Sequence, residues 1–481
     1  MRLDEYARHD ALGLAALVSC GEVTPRELAA TAAEAIAKLN PTLNAVVETY
    51  QDRIEDLDET TLGSGPFRGV PFLMKDVFGH EAGRRIEFGS RLCAGMVAQQ
   101  DTVYTQLVRA AGVNVMGRSA APEYSMAGTT ETALYGNTST PWKQGYSAGG
   151  SSGGAMAAVV AGLVPIAQGT DIAGSIRIPA SFCGGVGLKP SRGRISFAPM
   201  LDENGYGLAQ NFVQTKTVRD AATMLDCLAV PQPGDPFLIP RPTQPWAELA
   251  RHAAPRLRVG FCTAPLMGVA PDSEVAEAVR RTAQDLAAQG HIVEEIDPHF
   301  DGEVAMRAML VLWIFGLEAR LAGYAARSGH TVSDQTLEPV TRQLLQHSRT
   351  LTAADFVTAM ARLNTARRQL GQVFTRCDVW ITPTTARVAE PWGRYHLGRT
   401  DVAYDDIATA IMAPVVQYTL PHNIMGTPAI SLPLAMTASG LPIGVQFSAP
   451  PAQEHLLLQL AAQFEAERPW AARVPPLHVS A

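Results

Sequence analysis

Apolar positions along the chain change period repeatedly between two and three to four residues, which predicts strands alternating with helices. Residues 10 to 38 read as two helices. The second is marked by Thr24 as cap, Pro25 at the first helical position and Glu27 three residues after the cap. "GVPFLMKDVFG" is a short buried strand ending in Lys75 and Asp76. "DTVYTQLVRAAGVNVMGRS" predicts a helix, a stop at Gly112 and a strand. A helix over roughly 153 to 163 precedes the strand "VPIAQGTD". "RLRVGF", "PDSEVAEAVRRTAQDLAAQG" and "HIVEEI" form a strand, helix, strand unit with Asp272 as cap and Gly290 as stop. Longer helices are expected around 301 to 328 and 353 to 375, and three strand-like segments, "CDVWITPTT", "GTPAISLPLA" and "LPIGVQFSA", close the chain. Six prolines between 231 and 245 mark an extended surface connection. This alternation predicts an α/β sheet covered by helices on both faces.

Composition narrows the function classes. With 47% hydrophobic and 18% charged residues, the 481-residue chain has ordinary globular make-up and ample length for a large core. A net charge of -7 gives a nucleic-acid role no electrostatic support. The N-terminus mixes charges and lacks the apolar core of a signal peptide, and the longest apolar stretch, near 155 to 167, is too short to span a membrane. Six scattered cysteines without a CxxC pair fit a reducing, cytoplasmic setting.

Two glycine-rich bends carry the candidate chemistry, "YSAGGSSGGAMA" and "GTDIAGSIRIPASFCGGVGLKPS". Neither has the lysine of a GxxxxGK[ST] phosphate loop. Gly149 to Gly153 fits the GxSxG nucleophile elbow, but "STPWKQGYSA" before it does not read as a strand. No histidine lies between residues 81 and 251, so a histidine base has to come from a distant position such as His291, His422 or His455. The eleven histidines show no HExxH or HxxxH pair, so metal hydrolysis has poor support. A lysine is an alternative base if burial makes it easy to deprotonate, and Lys75, behind the apolar run "GVPFLM", is placed for that. The competing reading is a strand-edge lysine pointing to solvent.

The two bends, with "PFRGVPFLMKDV" upstream and "VWITPTT" and "LPHNIMGTPAISLP…GLPIGVQF" downstream, resemble the amidase signature family over nearly the whole chain. The resemblance implies one compact amidase-signature domain over residues 1 to 481, with a large twisted mixed sheet. The catalytic core is expected at about 65 to 220, a more variable helical pocket region at about 231 to 400, and C-terminal strands returning to the sheet. It implies a Ser-Ser-Lys triad: Lys75 as base, Ser151 as bridging serine on a non-proline cis peptide bond, and Ser175 as nucleophile. Backbone N–H groups of Ile172, Ala173, Gly174 and Ser175 are expected to receive the oxyanion, with Ser152 supporting the network. Ala173 stands where many members have glycine. Asp171 and Arg177 are expected to pin the loop as an ion pair.

The implied reaction is cleavage of a C–N bond in a small, largely apolar amide through an acyl-enzyme. The bond is that of a linear, cyclic or oligomeric amide, an anilide or a carbamate (urethane), with ester cleavage as a side activity. No metal or organic cofactor is required, and the chain is expected as a monomer or homodimer with no nucleic-acid or membrane partner. The alternatives are an amidotransferase-type subunit acting with partners and a non-catalytic protein retaining the fold. Met126, Ala127 and Gly128 match a segment near the acyl pocket, and Tyr135 and Gln210 are weaker substrate-binding candidates. Trp313 and Phe315 read as helix core, with an apolar substrate funnel as the functional alternative. His422 and Asn423 read as structural loop residues, and Lys216 carries no clear signal.

Overall fold

A computed structural model describes all 481 residues. Its centre is an eleven-stranded mixed sheet. In chain order the strands are β1 (Val46–Thr49), β2 (Pro71–Lys75), β3 (Asn114–Ser119), β4 (Ile166–Asp171), β5 (Val186–Lys189), β6 (Gln210–Thr215), β7 (Arg258–Phe261), β8 (Ile292–Glu295), β9 (Val379–Pro383), β10 (Ala429–Met436) and β11 (Pro442–Ser448). Their order across the sheet is β1-β3-β2-β4-β6-β5-β10-β11-β9-β7-β8. The β3-β2-β4 and β9-β7-β8 groups are parallel, and the strands between them pair antiparallel. β2 and β4 are buried along their whole length. That is why β2 reads as an apolar run up to Lys75, whereas β4 buries the polar side chains of Gln168, Thr170 and Asp171.

The predicted helix signals hold where the cap chemistry is complete. Thr24 accepts from the N–H of Glu27 at 3.1 Å, and Glu27 accepts from the N–H of Thr24 at 2.8 Å, opening a helix over Pro25–Leu43. Asp272 does stand before the helix Ser273–Ala288, but its side chain makes no cap; it accepts from Arg387 at 3.0 Å instead. The helix expected over 301 to 328 is two helices, Gly302–Ile314 and Leu317–Ser328, because Gly316 adopts φ +72°. The segment before the first glycine bend, read as non-strand, forms a two-stranded hairpin of Ser139–Thr140 with Lys143–Ser147, apart from the main sheet.

The largest apolar core lies around the sheet and includes Phe72, Ile166, Phe212 and Val445. A second core joins the helices between 302 and 425 to Met126, Ala127, Ala173 and Ile178 beside the second glycine bend. The C-terminal end of β4 leads directly into the second glycine bend, whose Ala173 and Ile178 belong to this second core. No helix is long and apolar enough to cross a membrane.

Candidate active site

Lys75 ends β2 and is fully buried. Its Nζ lies 2.8 Å from Ser151 Oγ and 2.8 Å from Thr170 Oγ1, and its backbone N–H donates to Gln168 Oε1 at 2.8 Å. Burial drives the Lys75 pKa well below the ordinary lysine value, against the weaker opposing pull of Asp171 and Asp76. The solvent-facing alternative is therefore discarded. Gln168 and Thr170 sit two apart on β4, hence on one face, opposite the parallel neighbour that carries Lys75.

Ser151 occupies the first glycine bend, and the Gly150–Ser151 peptide bond is cis. A Cβ at Gly150 would collide with the backbone of Thr129, so only glycine permits this approach. Ser152 follows at the start of the buried helix Gly153–Val160. Its hydroxyl bridges the backbone of Thr170, accepting from the N–H at 3.2 Å and donating to the carbonyl at 3.3 Å. Its N–H donates to the carbonyl of Ser175 at 3.3 Å, which joins the two bends.

The second bend runs from Asp171 to Arg177. Both side chains are fully buried and paired through two bonds, Nε to Oδ2 at 2.9 Å and Nη2 to Oδ1 at 2.8 Å. The remaining Arg177 donors reach Thr419 O, Gln446 Oε1 and Asn423 Oδ1, so all five are used. Burial pushes the Asp171 carboxyl up, but the Arg177 guanidinium outweighs it and holds the pKa at about 2. Asp171 also accepts from the N–H of Gly174 at 2.8 Å and of Ile176 at 3.2 Å. Gly174 was expected among the oxyanion donors, but its N–H is committed to Asp171. The N–H groups of Ile172, Ala173 and Ser175 make no backbone hydrogen bond. Only Gly174 has a positive φ in this bend, +135°, so alanine at 173 meets no conformational obstacle.

Ser151, Thr170, Asp171, Ile172 and Ser175 line a cavity of about 350 Å³. Ser175 is half-buried there, and the Ser151 hydroxyl takes Lys75 as its side-chain partner. Of the expected substrate-binding residues, Met126 and Gln210 line this cavity. Ala127 instead belongs to the second core, and Gly128 is packed under Val415. Tyr135 lies outside the cavity, its hydroxyl donating to Glu87, a carboxylate shared with Arg118. Trp313 lines the cavity, in favour of the funnel reading, whereas Phe315 packs against Phe356 at 4.9 Å.

Two of the distant histidines take other partners. His422 Nδ1 lies 3.2 Å from Thr427 Oγ1, and His291 Nδ1 accepts from the N–H of Leu257 at 3.2 Å. His422 and Asn423 lie in the helix Leu420–Met425 rather than in a loop. Asn423 ties Asp171, Arg177 and the carbonyl of Leu208 together. Lys216 is half-buried, its Nζ 3.5 Å from the carbonyl of Ala7, away from this site. No group of three or more His, Cys, Asp or Glu side chains is arranged to hold a metal ion.

Comparison with known proteins gives a consistent result. The family model described as Amidase matches residues 27–458. The chain is 36% identical to the 6-aminohexanoate-cyclic-dimer hydrolase of Pseudomonas sp., with 97% of this chain and 96% of the relative covered. It is 32% identical to an acylamidase of Rhodococcus erythropolis, with 96% of each covered. The solved structure of 6-aminohexanoate cyclic dimer hydrolase complexed with substrate superposes with a TM-score of 0.91 at 34% identity, covering 98% of this chain and 99% of that one. A match along nine-tenths of the sequence, together with the same fold, places the chain in the amidase family, the amidase signature enzymes, which hydrolyse amide C–N bonds.

Proposed function

We propose that the chain is a serine amidohydrolase that cleaves small, largely apolar amides through an acyl-enzyme, with Ser175 as nucleophile, Ser151 as relay and Lys75 as base. The observation that carries this reading is the buried Lys75 Nζ, 2.8 Å from Ser151 Oγ, at a cavity that Ser175 also lines. Burial disfavours the ammonium form of Lys75 and so favours a free lone pair that accepts a proton from Ser151. Ser151 in turn accepts the proton of Ser175 as its Oγ forms the bond to the carbonyl carbon. The N–H groups of Ile172, Ala173 and Ser175 receive the charge that develops on oxygen; removing one such donor typically costs about 3 kcal/mol in the barrier. The proton returns through Ser151 to the leaving nitrogen as the C–N bond breaks, so the amine departs neutral. Water then releases the acyl group by the same route in reverse.

The mostly apolar cavity lining supports a substrate with apolar flanks. The names of the relatives, a cyclic-dimer hydrolase and an acylamidase, support an amide as the scissile group. Carbamates, anilides and activated esters are further substrates within the same chemistry. The test is mass spectrometry of the intact chain after brief exposure to a p-nitrophenyl ester. An added acyl mass located on Ser175, absent in Ser175→Ala, is expected. Amide turnover by a folded Ser175→Ala chain overturns the proposal.

A further inference from the structure

One wall of the cavity is aromatic to a degree that closing an apolar pocket does not require. Phe78, Phe88, Tyr124 and Tyr324 all line it. Tyr124 and Tyr324 stack with centroids 5.6 Å apart and planes 6° apart, and Phe88 lies 4.9 Å from Tyr324 and 6.4 Å from Tyr124. Phe78 meets Phe88 edge-on at 6.3 Å. These rings come from three separate parts of the chain, and Tyr324 belongs to the helix that starts after Gly316.

The backbone at this wall is unusual as well. Seven non-glycine residues in the chain have positive φ, and five of them line the cavity: Phe78, Phe88, Tyr124, Ser125 and Tyr206. Bulky side chains avoid this region because Cβ crowds the backbone. Such strain persists where the surroundings enforce it, and it clusters at binding and catalytic sites. Four of the five are aromatic, so the strained backbone is what aims the rings.

We propose that the wall formed by Phe78, Phe88, Tyr124 and Tyr324 is a subsite for a planar aromatic group of the substrate, and that Tyr324 is a specificity-determining residue. This deepens the amidohydrolase reading and rests on it. An aryl ring completes the edge-to-face and offset-stacked contacts that the four rings already make among themselves. A saturated ring of the same carbon count fills the volume without those contacts. The saturated ring is also the bulkier and more apolar of the two, so a pocket selecting on apolarity alone favours it.

The test compares benzamide with cyclohexanecarboxamide by calorimetry on the full-length chain carrying Ser175→Ala, so that binding is read without turnover. Benzamide is expected to bind about threefold to tenfold more tightly. Adding Tyr324→Leu is expected to bring the two ligands to near parity, and Tyr324→Phe to keep the preference. Equal binding in the parent, or an undiminished preference in a folded Tyr324→Leu chain, overturns the subsite. If Tyr324→Leu does not fold, the two-ligand comparison in the parent still decides. The outcome stays separate from that of the proposed mechanism: hydrolysis by Ser175→Ala would refute the nucleophile, whereas equal binding of the two amides without turnover would refute the subsite alone.

Discussion

Thr170 Oγ1 and Lys75 Nζ are 2.8 Å apart in a fully buried site, and Thr170 is the only partner of the lysine amine besides Ser151. A neutral amine has two N–H donors and one lone pair. In the neutral form that the proposed mechanism requires, donation of one N–H to Thr170 leaves the lone pair for the Ser151 hydroxyl. Thr170→Val keeps the shape and removes the acceptor. A buried hydrogen bond of this kind is worth about 1 to 2 kcal/mol, so kcat should fall by about five- to thirtyfold with KM little changed. Thr170→Ser should restore it. Steady-state kinetics on one amide checks this, and an unchanged kcat in Thr170→Val would remove Thr170 from the mechanism.

The pH dependence follows from burial of Lys75. Its folded pKa lies below that of the unfolded chain, near 10.4, because desolvation disfavours the ammonium. kcat/KM should therefore rise with pH through the folded pKa and level off above it. Stability moves in the same direction for a separate reason. Between the folded and unfolded pKa values the unfolded chain holds the extra proton, so stability rises with pH across that window. Below the folded pKa both states are protonated and the penalty is complete; above the unfolded pKa it vanishes. Lys75→Met should therefore be inactive, and its melting temperature relative to wild type should be highest at neutral pH and fall as pH approaches 10. A constant difference across that range would show that Lys75 is not desolvated as described.

Asp171→Asn should destabilise strongly. It strips the charge from a fully buried pair and leaves the Arg177 guanidinium uncompensated, at about 3 to 5 kcal/mol. The sign with acid is the reverse of that for Lys75. A carboxyl held at about 2 stabilises fully above its unfolded pKa of roughly 3.9, and the contribution is lost as pH falls toward 2. Urea denaturation at pH 7 and pH 3 should show a wild-type loss over this range that is smaller in the variant. Equal losses would place the acid sensitivity elsewhere.

Residues 173 and 174 should respond in opposite ways. Gly174→Ala puts a side chain at φ +135° and against Thr419, so the bend must shift and kcat/KM should drop by more than a hundredfold. Ala173→Gly relaxes a position that strains nothing and should remain within about tenfold of wild type. Paired kinetics with thermal melts decides this; similar losses at both positions would mean that the bend tolerates no flexibility at either.

Much of this was legible from residues close together in the chain. The Thr24 capping box, the buried strand ending in Lys75 and the two glycine bends depend on local chemistry, and each has a local signature. Thr170 carries a weaker one: it sits two residues after Gln168 on a strand, a spacing that sets both side chains on one face, but nothing in the sequence says that Lys75 lies opposite. Tyr324 has no signature at all, since its partners Phe88 and Tyr124 are some 200 residues away and meet it only through tertiary packing. The helical segment expected around 301 to 328 is broken in two for a visible reason. A single glycine between apolar turns is compatible with a helix, and only the adopted φ of Gly316 ends it. The commitment of the Gly174 N–H to Asp171 depends on the path of the bend, and composition does not encode that path.

The break at Gly316 sets Tyr324 of the proposed aromatic subsite apart from the proposed catalytic groups. Lys75, Ser151 and Thr170 are buried on or against interior strands of the sheet, where almost any exchange disturbs the core. Tyr324, on the helix beyond the break, stands on a largely exposed segment with two buried residues, Leu317 and Leu321. Variation can accumulate on that helix while the sheet stays intact. A lineage, or a laboratory library confined to residues 317 to 328, can therefore explore new ligands without repeatedly disturbing the buried site around Lys75.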